Sequence, residues 1–106
     1  MNDSRDTNLI NWIQDWYYQY CNGDWEHNEH FSIRNIDNPG WRVSINLEDT
    51  HCEGEKFESI DVEKDTNDWY QCFLRDGKFE GAGGPSNLVD ILERFRDWAI
   101  KCQENH

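Results

Sequence analysis

Asn38-Pro39-Gly40-Trp41-Arg42-Val43-Ser44-Ile45-Asn46-Leu47 is the stretch on which the reading of this chain turns. Trp41, Val43, Ile45 and Leu47 alternate strictly with Arg42, Ser44 and Asn46, the period of a strand with one buried face. Just ahead, Pro39 presets φ for the first central position of a turn. Gly40 tolerates the positive φ that a type II turn needs next. Upstream, Phe31, Ile33 and then Asn35 alternate with Ser32 and Arg34. The two runs are expected to pair as an antiparallel hairpin.

Working outward, Ile60 and Val62 alternate with Asp61 and Glu63, a third strand with a charged outer face. Trp69 to Arg75 makes a fourth, with Tyr70, Cys72 and Leu74 on one side and Trp69, Gln71 and Phe73 on the other. Asp76-Gly77 is a strong two-residue hairpin signal, returning through Lys78-Phe79-Glu80. Gly81-Ala82-Gly83-Gly84-Pro85 is read as the end of the sheet and the turn into a helix.

Helices are expected at both ends. Leu9, Ile13, Trp16, Tyr17 and Tyr20, flanked by Trp12, recur at three- and four-residue steps from about Thr7 to about Tyr20. Asp6 or Thr7 can cap this helix and Gly23 can stop it. Ser86 is the expected N-cap of the second helix. There Leu88, Ile91, Leu92, Phe95, Trp98, Ala99 and Cys102 form one apolar stripe, with Arg94, Arg96 and Lys101 toward the C-terminal end. The expected fold class is α+β: an N-terminal helix, an antiparallel sheet of four to five strands and a C-terminal helix. Two amphipathic stripes need a common apolar surface, so both helices should pack on one sheet face. The other face should meet water or a partner. Residues 1–106 read as one domain.

Ten basic against twenty-two acidic residues give a net charge of −12. Acid-rich chains poor in aromatics usually stay disordered. Six tryptophans and an aromatic content of 14% place this one among folding chains. A fold holds that negative field in place, which disfavours nucleic acid and anionic membranes as partners and speeds encounter with a basic protein. The field is densest between Asn46 and Asp68, with nine carboxylates against Lys56 and Lys64. No run approaches the ~20 apolar residues of a membrane span. Met1 to Asp6 lacks the basic start and apolar run of a secretory signal, so a cytoplasmic location is expected. Cys21, Cys52, Cys72 and Cys102 are then expected as reduced, structural thiols.

Candidate chemistry is thin. Asp24-Trp25-Glu26-His27 with Glu29 and His30 is the densest cluster of catalytic residue types. His27 and His30 with a nearby carboxylate could bind a divalent metal, giving a small metal-binding protein or metal-dependent hydrolase as the second reading. The spacing matches no established metal motif. Acidic surroundings at His51-Cys52 oppose thiolate formation. The glycines before the second helix lack the lysine and hydroxyl of a phosphate loop, so a tight strand-to-helix turn is the better reading. No cofactor is called for and an enzyme is poorly supported. What remains is a binding module in which carboxylates orient a cationic partner and large rings supply contact area.

Several short motifs occur in order from about Leu9 to about Trp98. They are Trp12-x-Gln14-x-Trp16-Tyr17, Cys21-Asn22-Gly23-Asp24-Trp25-Glu26-His27, Asp37-Asn38-Pro39-Gly40-Trp41, Asn67-Asp68-Trp69 and Gly77-Lys78-Phe79-Glu80-Gly81-x-Gly83-Gly84-Pro85-x-Asn87-Leu88. Together they resemble the immunity protein 53 family. The chain departs from that pattern at Asn22, where an aspartate is expected, and at His30-Phe31, where a tyrosine-glycine pair is expected. The resemblance implies a bacterial immunity protein of a polymorphic-toxin or contact-dependent competition system, binding and neutralising a cognate toxin protein. It brings no catalytic residues with it. The partner is then a toxin held one-to-one by an otherwise monomeric chain, and charge complementarity favours a cationic active site such as that of a nuclease. Candidate contacts are Asp24, Trp25, Glu26, Asp37, Trp41, Asp61, Glu63, Asp68 and Trp69. Core burial is the competing reading for the three tryptophans.

Overall fold

The computed structural model describes residues 4–104. The hairpin read from residues 31–47 is present: β1 (Phe31–Ile36) pairs antiparallel with β2 (Gly40–Asn46). β3 (Ile60–Asp65), β4 (Asp68–Arg75) and β5 (Lys78–Gly83) follow. The five strands form one antiparallel sheet in the order β1-β2-β5-β4-β3. The segment between β2 and β3 therefore crosses to the far edge, and two hairpins bring β5 back to the centre. Asp76 and Gly77 both take positive φ, 54° and 78°, as a two-residue hairpin turn requires.

Two features of the glycines differ from expectation. Gly40 does not take positive φ; it opens β2 opposite Ile36, after the loop Asp37-Asn38-Pro39. Glycine is needed there because a Cβ would run into the carbonyl oxygen of Gly83. Gly81 and Gly83 are not in the turn but within β5, which ends at Gly83. Their missing side chains make the seat on which Ile91 of the second helix rests.

Both helices lie on one face, as their stripes require. α1 (Ser4–Gln19) starts earlier than expected, and the side chains of Asp6 and Thr7 fall outside those described. Its end is closed by bonds from Tyr20 and Cys21 amides to the Tyr17 and Tyr18 carbonyls, after which Gly23 turns at φ 98°. α2 (Leu88–Glu104) buries Ile91, Leu92, Phe95, Ala99 and Cys102. The residue ahead of α2 is Asn87, not Ser86. Ser86 is exposed, whereas Asn87 is buried and its carbonyl accepts the Ile91 amide. Against the helices lie Val43, Ile45, Phe79 and Cys72, all fully buried. Phe95 has its ring 5.0 Å from Trp16 and 5.1 Å from Phe79, and so ties both helices to the sheet.

Because Ile91 Cγ2 occupies the space a Cβ at Gly81 would take, Gly81→Ala should overpack this seat. We expect a loss of about 1–2 kcal/mol in urea unfolding. An unchanged midpoint would mean that α2 does not bear on β5 there.

Candidate functional site

Antiparallel register decides which side chains share a face. Val43, Gly81, Cys72 and Ile60 stand in line toward the helices. The intervening residues point the other way, onto a face that no helix covers. Across it run Arg34 and Arg42, then Ser44 and Glu80, then Phe73, Gln71 and Trp69, and finally Asp61 and Glu63 on β3.

The middle of this face is ordered by a residue that sequence reasoning missed. Glu80, 9% exposed, lies on the central strand. Its carboxylate accepts from Arg42 Nη2 at 3.2 Å and from Ser44 Oγ at 3.1 Å. A buried carboxylate needs such donors. Arg75 and Lys78 share this face at the β4–β5 turn, so its negative charge is concentrated at the other end, around Asp61, Glu63 and Asp65.

On that side the expected residues converge. Glu63 stands opposite Trp69 and Asp61 opposite Gln71. Together with Asp65 they line an open cleft of about 500 Å³. Asp61, Glu63 and Asp65 are exposed and Trp69 is half-buried. Asp68 belongs to a different structure: its carboxylate accepts from Asn87 Nδ2 at 3.0 Å. That amide also reaches Asp90 at 2.8 Å, while Asn87 Oδ1 accepts the Trp69 amide at 3.3 Å. Asp68 thus fixes the start of β4 against the start of α2. Trp41 faces the helix side, half-buried, with Nε1 donating to the Pro85 carbonyl at 3.0 Å. Asp37 is exposed in the β1–β2 loop.

The residues after α1 form a separate structure. Trp25 is 5% exposed, and its Nε1 donates to the Glu48 carbonyl at 2.9 Å. It is a core residue that anchors the acidic 47–59 segment, and burial removes it from the surface set. Asn22 Oδ1 accepts the amides of Asp24 and Trp25, a role an aspartate would fill equally well. Glu26 accepts the Asn22 and Gly23 amides, both at 2.9 Å. Its own amide first, then those two, hold its carboxyl below the usual carboxylate range. Asp24 is exposed.

Histidine placement runs against the metal reading. His30 is buried with its ring stacked on Trp25, centroids 4.0 Å apart, while His27 is exposed. Among the described residues no three His, Cys, Asp or Glu side chains are grouped to hold an ion. All four cysteines are free thiols. Burial, then contact with Cys102, pushes the Cys52 thiol well up, and burial raises Cys72 to about 12. Burial of this kind disfavours the thiolate, the nucleophilic form of cysteine. His51 instead bonds through Nδ1 to the Tyr20 hydroxyl at 2.6 Å.

The domain is α+β, and the sheet face that no helix covers carries rings and carboxylates. The family model for immunity protein 53 matches residues 10–100, and the chain belongs to that family. No curated protein and no solved structure matches it significantly. No helix of the described residues is long and apolar enough to cross a membrane.

The Glu26 carboxyl gives this region a pH signature. Its lowered folded value contributes stability above the ordinary carboxylate pKa of about 4.3, lost as pH falls through the folded value. Glu26→Gln should therefore be less stable than the natural chain at neutral pH, with the difference closing in acid. Urea midpoints compared across pH would show this, and a pH-independent difference would contradict it.

Proposed function

We propose that this chain binds and neutralises a cognate toxin domain through the acidic, aromatic half of its bare sheet face, with no reaction of its own. The observation that carries the reading is the placement of Asp61, Glu63 and Trp69 on adjacent strands around one cleft, on the face the helices leave open. Family membership supplies the class of partner. Exposed carboxylates attract a basic surface over a distance, and a half-buried tryptophan supplies contact area once the surfaces meet. A toxin that works on an anionic substrate, such as a nuclease, presents the complementary charge. One chain to one toxin domain is the expected stoichiometry, and the producing cell's cytoplasm is where such protection is required.

The test uses a catalytically inactive form of the cognate toxin domain. Asp61→Lys combined with Glu63→Lys should slow association at least tenfold at low salt and much less at high salt, where exposed charges are screened. Both residues are exposed, so the unfolding midpoint should barely move. Unchanged association with an intact fold would place the docking surface elsewhere.

A further inference from the structure

The sheet has two edges, and they are not alike. β3 is blunted: it shifts register between Glu63 and Asp65, and charged residues fill most of its length. A bulge and dense charge are devices that keep an edge from pairing with other chains. β1 has neither. It is regular from Phe31 to Ile36, with Arg34 as its single charge.

Register parity says which groups that edge offers. The Asn46 amide donates to the His30 carbonyl at 2.8 Å, so His30 and Asn46 form a hydrogen-bonded pair. Counting along the ladder, Ser32, Arg34 and Ile36 also bond inward to β2. The amides and carbonyls of Phe31, Ile33 and Asn35 then point out, and no backbone hydrogen bond among the described residues meets them.

Beside this edge the surface is apolar. Ile33 is 40% exposed. Ile13, Tyr17 and Phe31 line a cleft of about 360 Å³ between α1 and the start of β1. His30 lines the same cleft, is 4% exposed, and keeps an Nδ1 without a hydrogen-bond partner. Carboxylates flank both ends: Glu26 and Glu29 border the cleft, and Asp37 follows Ile36.

The geometry points to strand addition at β1: an extended segment of the toxin pairs with Phe31, Ile33 and Asn35 as a sixth strand. It would set an apolar side chain in the cleft and basic residues near Glu26, Glu29 and Asp37. Charge selects this occupant over a second copy of the chain, since two copies at −12 each repel and would bring the same carboxylates together. The β1 cleft lies on the helix side and the Asp61, Glu63 and Trp69 cleft on the opposite face, so the edge is a contact separate from that surface. This inference rests on the immunity reading but is separable from it.

Amide exchange, read with and without the same inactive toxin domain, tests it. On binding, the outward amides of Phe31, Ile33 and Asn35 should slow at least tenfold. Asn35→Pro, which removes an outward donor and no bond to β2, should weaken binding at least tenfold with an unchanged thermal midpoint. If that variant fails to fold, Ile33→Lys should give the same weakening. A complex that leaves these amides unprotected overturns strand addition while the immunity reading stands. Absence of any complex with the natural chain overturns both. A free chain that sediments as a dimer, with the same amides protected, would assign the edge to a second copy and overturn the inference.

Discussion

The ring of Phe95 is the contact on which the rest of the fold depends. It is fully buried and meets Trp12, Trp16, Phe31, Phe79 and Trp98 at centroid distances from 5.0 to 6.4 Å, all edge-on. Such pairs contribute about 0.5–1.5 kcal/mol beyond the area they bury. Trp12 and Trp16 come from α1, Phe31 and Phe79 from the sheet. A single residue of α2 therefore holds the first helix and both halves of the sheet hairpins together. Loss of a buried phenylalanine ring typically costs ~3–5 kcal/mol, a large share of the ~5–15 kcal/mol that holds a domain folded.

Concentrating the aromatic core on one side has a consequence for the other. α1 and α2 meet at Phe95 and α2 sits on the glycine seat of β5, so neither helix covers the opposite face. That face must carry its own polar order, and Glu80 with Arg42 and Ser44 provides it. Neutralising Arg42 within the sheet leaves Asp61, Glu63 and Asp65 without a compensating cation among the side chains lining their cleft other than Lys64. A chain of net −12 thus displays part of its charge on a firm surface rather than on a mobile tail.

Period and spacing made much of this legible in the sequence. Strict alternation from Trp41 to Leu47 and the stripe from Leu88 to Cys102 place the hairpin and the second helix, because each buries one face and repeats at its own period. Asp61, Glu63 and Trp69 could be foreseen on a common face only through the β3–β4 pairing. Strand order was not legible: β5 pairs with β2 across the long 47–77 connection, and no local period or turn signal announces such a pairing. Gly40 read as a turn residue because Pro-Gly is a turn signal, while the constraint is a neighbouring carbonyl across the sheet. Glu80 looked like one more solvated carboxylate until register set it beside Arg42. Trp25 stood in an acidic, polar segment, and only the fold shows that its indole reaches the Glu48 carbonyl.

The central claim is that the side bearing Trp69, opposite the helices, is the one a toxin covers. Oxidative footprinting of the six tryptophans, with and without the inactive toxin domain, addresses this most directly. We expect Trp69 to lose reactivity on complex formation while the buried Trp16 and Trp25 stay unreactive throughout. Full reactivity of Trp69 in a saturated complex would contradict the account.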